Sequence, residues 1–138
     1  MHESVTLKMT LPKIPDIELV AVEGLERLGR HMAISAEKIG EAKILVTESV
    51  INALEHSGEK DPSVRVEFML SPQELVIFVR DFGEGFEPSE VGDPDLGDKF
   101  GTKNKRGWGL KLMRELSDDL RIESNKSGTK ITITKRLG

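Results

Sequence analysis

The sequence contains no cysteine and no long apolar run, and each absence excludes a class of protein. Without cysteine the chain has no disulfides, no catalytic thiol and no thiolate metal site, which is compatible with a reducing compartment. No apolar segment approaches the ~20 residues of a membrane-spanning helix, and the first residues lack a signal-peptide core. The three histidines, His2, His31 and His56, lie too far apart in sequence to favour a zinc site. We therefore expect a cytoplasmic protein without a membrane anchor.

The sequence also lacks a strong excess of charge of one sign. Twenty Lys and Arg residues stand against 24 Asp and Glu residues, and the net charge of -4 does not draw the protein to nucleic acid or to an anionic membrane. A length of 138 residues is close to the commonest size of one domain. We expect residues 1–138 to form a single domain with no direct nucleic-acid partner.

Hydrophobic periodicity predicts an α+β fold. Alternation of apolar and polar residues predicts five strands, at about 4–12, 64–70, 75–81, 120–123 and 129–134. Helical spacing predicts three helices, at about 15–32, 36–56 and 110–118. Because most strands would pair with their sequence neighbours, we expect a two-layer sandwich, with three helices on one face of a mixed, mostly antiparallel sheet.

The segment from 83 to 109 shows no regular periodicity. It holds seven of the 13 glycines of the chain, together with prolines and many charges. A loop of this length inside a small domain is typically functional or disordered.

The helix at 36–56 carries an unusual polar arc. Its apolar residues spread over about half of the circumference, while Glu48, Asn52 and His56 follow one another at i, i+4 and i+8 on the remaining side. By base rate alone, a solvated helix face is favoured by about two to one. If the arc lines a pocket instead, the amide oxygen of Asn52 could ligate Mg²⁺, and Glu48 could accept a proton as a general base. His56 then has a structural hydrogen-bonding role.

Two glycine motifs lie at the ends of the segment from 83 to 109. Asp81-Phe82-Gly83-Glu84-Gly85 ends a strand, where the glycines allow close approach of a flat ligand and Asp81 could accept a hydrogen bond from an exocyclic amine such as that of adenine. The same pattern also occurs in ordinary turns, and it does not match a dinucleotide fingerprint or a P-loop.

The second motif, Arg106-Gly107-Trp108-Gly109-Leu110, opens a helix whose free N–H groups could bind phosphate, with Lys105 and Arg106 adding positive charge. A flexible hinge before a helix explains this motif equally well. Trp108 is either a core anchor or a contact residue. Taken alone, Gly128-Thr129 indicates only a hairpin turn.

In this order, the motifs resemble those of the GHKL ATP-binding fold. Glu48-Ser-Val-Ile-Asn52-Ala-Leu-Glu-His56 is similar to its N box, and the glycine motifs that begin at Asp81, Gly107 and Gly128 are similar to its three glycine boxes. The resemblance covers about residues 42–134. It reverses the interpretation of Glu48 and Asn52 as a solvated face.

The resemblance implies ATP and Mg²⁺ as cofactors and a role for each motif. Asn52 would hold Mg²⁺, Asp81 would recognise adenine, and Glu48 would be the general base. Residues 83–109 would be the lid over the phosphates. The other implied nucleotide-binding residues are Gly83, Gly85, Lys105, Arg106, Gly107, Gly109, Leu110 and Thr129.

Within this family, the short chain and the Glu-x-x-x-Asn-Ala-x-x-His form look most like the anti-sigma-factor serine kinases. That likeness implies phosphorylation of a serine on an antagonist protein, binding of a sigma factor or a similar regulator, and a homodimer built partly on the N-terminal region. Trp108 and the acidic Asp93-Pro94-Asp95 depart from the family pattern. The alternative is a regulatory module that binds nucleotide and sequesters a partner without phosphotransfer. ATP hydrolysis coupled to dimer closure ranks last, because it needs a further domain.

Overall fold

The computed structural model describes residues 4–85 and 105–138, with only the backbone of 105 and 106. Within these ranges the chain forms five strands and three helices. In chain order they are β1 (Val5–Leu11), α1 (Glu18–His31), α2 (Ala36–Glu55), β2 (Val64–Leu70), β3 (Glu74–Asp81), α3 (Lys105–Leu116), β4 (Asp119–Asn125) and β5 (Gly128–Arg136). The predicted α+β class is confirmed.

The five strands form one sheet in the order β1-β2-β3-β5-β4. Each pair of neighbours is antiparallel, so the sheet is wholly antiparallel over the described residues instead of mixed. The two predicted hairpins are present as β2–β3 and β4–β5. The pairing of β3 with β5 joins them and places Asp81 opposite Thr129.

One face of the sheet is covered by the helices. Its inward residues alternate with outward ones along β2, β3 and β5, the period-2 pattern of a half-buried sheet. Phe68, Ile77 and Ile133 are fully buried on this face and belong to the same core cluster as Leu45 and Val50 of α2. Because α2 packs against both α1 and α3, it is the central helix of the layer.

Two helix boundaries differ from the predictions. α1 begins at Glu18 and not at Pro15, because Asp16 has a φ of 62°, in the left-handed region, which a right-handed helix cannot include. α3 begins at Lys105, so Gly107 and Gly109 lie inside the helix and the predicted lid ends too late. α2 matches its prediction within a residue, and the Ser35 hydroxyl caps it by accepting a hydrogen bond from the Lys38 N–H (3.3 Å).

In the described part of the chain, none of the three helices combines the length and apolarity needed to cross a membrane.

Candidate functional site

The polar arc of α2 is partly buried. Asn52 is 6% exposed to solvent, and Ser49 is fully buried. Ser49 is satisfied within its own helix, since its hydroxyl donates to the carbonyl oxygens of Leu45 (2.7 Å) and Val46 (3.2 Å). Glu48 is half-buried. The solvated-face interpretation is therefore wrong for Asn52, which is enclosed by neighbouring elements.

The Asn52 side chain has an unused hydrogen-bonding group. Its Nδ2 is buried and has no hydrogen-bond partner among the residues that the structure describes. Leaving a buried donor unsatisfied costs about 1–3 kcal/mol, so such groups are rare unless a ligand or water completes them. The position of Asn52 thus fits a residue that binds a ligand.

Glu48 faces the first turns of α3. A Cβ atom on Gly109 would lie 3.2 Å from Oε2 of Glu48, so the absence of a side chain at Gly109 gives the carboxylate its room. The next residue, Leu110, is fully buried in the core, as is Met113. Leu110 would therefore contribute to a nucleotide site only as part of its wall. Trp108 is half-buried, between the two roles predicted for it.

The first glycine motif is held at the end of β3. Asp81 is 2% exposed, and its Oδ1 accepts a hydrogen bond from the N–H of Gly83 at 2.9 Å. Gly83 lies directly against the carbonyl oxygen of His56, the C-cap residue of α2, and a side chain at this position would collide with it. The glycine at this position therefore allows the motif to pack against the C-terminal end of the helix that carries Asn52.

The β4–β5 hairpin packs against the first glycine motif at the end of β3. Gly128 has a φ of 127° and packs against the carbonyl oxygen of Asp81, where only glycine fits. Thr129 is 2% exposed and shares a hydrogen bond of 2.8 Å with the hydroxyl of Ser124. Sequence reasoning missed Ser124, although its position opposite Thr129 in the β4–β5 hairpin could have revealed it.

A cavity of about 670 Å³ opens between the end of α2 and the first glycine motif. Its lining includes His56, Gly83, Gly85 and Lys126, and its size is in the range of small-molecule sites. Lys126 was not predicted, because a lysine in a hairpin turn carries no sequence signal. Asn52 and Asp81 do not line this cavity but lie beside its wall, on α2 and β3.

Of the predicted site residues, Asn52, Asp81, Gly83, Gly85 and Thr129 belong to elements that meet at one corner, and Glu48 faces Gly109 of α3. The side chains of Lys105 and Arg106 lie outside the described residues, as do residues 86–104 of the predicted lid, which include the acidic Asp93-Pro94-Asp95.

The described residues contain no group of three or more His, Asp or Glu side chains that could hold a metal ion by themselves. Mg²⁺ usually binds protein through one or two oxygen donors and takes its other ligands from phosphate and water. The carboxamide of Asn52 therefore fits a magnesium ion that arrives with a nucleotide.

A family model described as the histidine kinase-like ATPase domain matches residues 16–135. The chain is 29% identical to the serine-protein kinase RsbW of Listeria monocytogenes (strain EGD-e) over 143 residues, which cover 99% of this chain and 89% of that protein. It is 26% identical to the serine-protein kinase RsbW of Bacillus subtilis (strain 168), over 95% of this chain and 85% of that protein.

Solved structures show the same fold. The crystal structure of the RsbU and RsbW domains of a Mycobacterium tuberculosis protein superposes with a TM-score of 0.72 at 22% identity, covering 96% of this chain and 32% of the other. The SiaB-SiaC complex of Pseudomonas aeruginosa gives a TM-score of 0.63 at 11% identity over 95% of this chain and 89% of the other. The family match covers most of the chain, and the chain belongs to the histidine kinase-like ATPase domain family.

Proposed function

We propose that this chain is an ATP-dependent serine protein kinase that acts as an anti-sigma regulatory factor in the cytoplasm, with residues 1–138 forming its single domain. The observation that carries the proposal is the buried, unsatisfied amide of Asn52, one helical turn from Glu48 on the central helix. The RsbW relatives, which are named serine-protein kinases and align over nearly the whole chain, support the same activity.

Each part of the site has a separate task in nucleotide binding. Asp81, fixed by the Gly83 N–H, accepts a hydrogen bond from the adenine amine, and the neighbouring Thr129 hydroxyl contributes a second polar contact. The N–H groups at the start of α3, with Lys105 and Arg106, bind the phosphates. Mg²⁺ held by Asn52 would neutralise phosphate charge.

Glu48 then acts as the general base. The serine oxygen of the partner attacks the γ-phosphorus, the bond from that phosphorus to the bridging oxygen of ADP breaks, and the proton of the serine hydroxyl passes to Glu48. Gly109 keeps the space around the carboxylate open, which lets a hydroxyl reach it.

A groove between α1 and α2 gives the acceptor a path to Glu48. The groove has a volume of about 380 Å³, and Glu48 lies in its wall together with Leu19, Ile44 and Thr47. Leu19 and Ile44 are 52% and 43% exposed, which is high for large apolar side chains. An exposed apolar surface that reaches the base is suited to a protein segment carrying the acceptor serine.

The partners that follow are an antagonist protein as substrate and a sigma factor or similar regulator as target, with the enzyme as a homodimer. β1 pairs with β2 inside the chain and lies at the edge of the sheet, so pairing across its outer edge is available for dimer formation. A module that sequesters its partner without phosphotransfer is the second candidate. Ile14 and Val20, each about half exposed, favour protein binding without bearing on catalysis.

Calorimetric titration with ATP tests the nucleotide site. The wild type should bind ATP more tightly with Mg²⁺ than without it, and Asp81→Asn should weaken binding by about ten- to a hundred-fold, the value of a hydrogen bond to a charged group. Asp61→Asn is the matched control, because Asp61 is an exposed carboxylate that pairs with Ser63 (2.5 Å). Equal losses in both variants, or no ATP binding by the wild type, would refute the assignment of the site.

Incubation with γ-labelled ATP and the purified antagonist protein separates the two candidates. The kinase proposal requires label on a serine of the antagonist. Tight binding of the antagonist with nucleotide bound and no label would instead establish the sequestering module.

A further inference from the structure

The face of the sheet opposite the helices carries a row of basic side chains. Arg65 on β2 is directly opposite Arg80 on β3, and Arg80 is directly opposite Lys130 on β5. Opposed residues in antiparallel strands have Cβ atoms about 4.5–5.5 Å apart, and like charges in these positions destabilise a sheet. The stability of the fold therefore does not account for three adjacent cations.

Carboxylates neutralise only part of the positive charge of this row. No ion pair joins any of the three side chains to a carboxylate within residues 4–85 and 105–138. Glu67 is engaged by Lys8 at 3.5 Å, and the carboxyl of Asp61, whose pKa is lowered mainly by hydrogen bonds from Ser63, interacts with Arg65 only at longer range. Glu123, opposite Lys130, offsets one charge and leaves an excess of two positive charges.

The row borders a cavity of about 480 Å³. Arg65, Arg80 and Lys130 line it together with the Lys8–Glu67 ion pair, the polar Thr10 and the aromatic Phe78. The Nε of Arg80 is buried and has no hydrogen-bond partner among the described residues, so one strong donor there is unused. A buried guanidinium donor without an acceptor is costly, so the fold leaves part of the hydrogen-bonding capacity of Arg80 unused.

We propose that this cavity binds a dianionic phosphate group at a site distinct from the ATP site. Two guanidinium groups match the fork geometry of phosphate oxygens, the lysine adds a third donor, and the excess of two positive charges equals the charge of the ligand. The phosphate is either free inorganic phosphate or the terminal group of a small phosphomonoester, since the cavity is large enough for both.

Phe82 connects the cavity to the proposed nucleotide site, because its ring contacts two arginines that line the cavity. The guanidinium carbons of Arg65 and Arg80 are 5.1 Å and 4.7 Å from the centre of the Phe82 ring, in the range of cation–π contacts. Phe82 is the residue between Asp81 and Gly83 of the first glycine motif. Because a ligand at either site could affect the other, the test keeps the ATP site saturated.

NMR of the full, ¹⁵N-labelled chain, saturated with a non-hydrolysable ATP analogue, gives a site-resolved test. Inorganic phosphate and glycerol phosphate are titrated separately, and the amides of Thr10, Arg80 and Lys130 should shift saturably with one or both ligands. Arg80→Gln and Lys130→Gln should each weaken binding about ten-fold or more. Arg121→Gln is the matched control, because Arg121 lies on the same face but is exposed and paired with Asp119 at 3.2 Å.

Three results would overturn the proposal. The first is the absence of saturable shifts at millimolar concentrations of either ligand. The second is an equal loss of binding in Arg121→Gln, which would indicate general charge attraction. The third is a wild-type dimer that Arg80→Gln and Lys130→Gln dissociate in sedimentation experiments while phosphate causes no shifts. The row would then be an interface between two copies of this chain. Using both variants guards against a folding defect in Arg80→Gln, which also loses the contact to Phe82.

Discussion

α1 and α2 cover the same face of the sheet but differ in whether they bury polar side chains. The buried residues of α1 are Ala21, Leu25 and Gly29, and its ion pair between Arg30 and Glu26 leaves the arginine side chain 70% exposed. α2 buries Ser49 and Asn52. Burying polar groups costs free energy unless they are hydrogen-bonded, and the Asn52 Nδ2 is not. The comparison therefore points to α2 as the helix shaped by function and to α1 as a helix shaped by packing.

The largest expected difference between the two helices is catalytic. Glu48→Gln on α2 should lower phosphotransfer by about 10² to 10⁴, the usual contribution of a general base, with ATP affinity nearly unchanged. Glu26→Gln on α1 makes the same chemical change and should leave the rate unaltered. Single-turnover transfer from γ-labelled ATP to the antagonist measures both. Equal rates in the two variants would remove Glu48 from the mechanism.

The ion pairs of the two helices should also differ in their effect on stability. Lys135 of β5, whose side chain is 4% exposed, donates to Glu41 of α2 (2.6 Å) and to the carbonyl oxygen of Leu116 (2.7 Å). Lys135→Met leaves both acceptors without their donor, and we expect the melting temperature to fall by roughly 5 °C. Arg30→Met, which breaks the exposed pair of α1, should change it little.

A double variant sharpens this result. Adding Glu41→Leu to Lys135→Met removes the acceptor together with its donor, so part of the lost melting temperature should return. If the two losses add instead, the Lys135–Glu41 contact does not stabilise the fold. Calorimetry of the four proteins measures the coupling.

The fold was largely predictable because its signals are local. Period-2 alternation in β2 and β3 and the 3.6-residue spacing of α2 arise from neighbouring residues, and all five strands and three helices were predicted. The start of α1 was misplaced because the left-handed conformation of Asp16 leaves no pattern in the sequence. The start of α3 was misplaced because glycines at 107 and 109 argue against a helix, yet packing of Leu110 and Met113 in the core stabilises one.

The candidate site was predictable only by combining motifs. The spacing of Glu48 and Asn52 also fits a solvated helix face, and only the order of the glycine motifs favoured a pocket. Contacts between distant segments, such as Gly83 against His56, were invisible because they depend on the tertiary fold. The basic row on the open face was missed for the same reason, since register brings its three strands together.

A substitution at the contact between α2 and α3 should have a smaller effect on phosphotransfer and an opposite effect on stability. Gly109→Ala places a methyl group 3.2 Å from Oε2 of Glu48 and should slow phosphotransfer several-fold by displacing the carboxylate. The same change should stabilise α3 by about 0.5–1 kcal/mol, because alanine is the better helix former. Gly40→Ala in α2, where a methyl group would meet no atom within 4 Å, should give the gain in stability, and because Gly40 lines the acceptor groove its transfer rate is compared at saturating antagonist. Equal slowing in both variants would show that contact with Glu48 is not the cause.

The smallest effect concerns pH. Lys135 lowers the pKa of Glu41 below its ordinary value of 4.5, chiefly through the hydrogen bond and then through its charge. Because the pKa is lower in the folded chain, the carboxylate stabilises the fold above about pH 4.5, and this contribution is lost as the pH falls through the folded value. The melting temperatures of wild type and Glu41→Gln should therefore differ at pH 7 and converge below pH 4.5. Glu26→Gln, which alters the exposed pair of α1, should show a small difference at neutral pH. If the melting temperatures of wild type and Glu41→Gln still differed below pH 4.5, packing, and not the ionised pair, would distinguish α2 from α1 at this position.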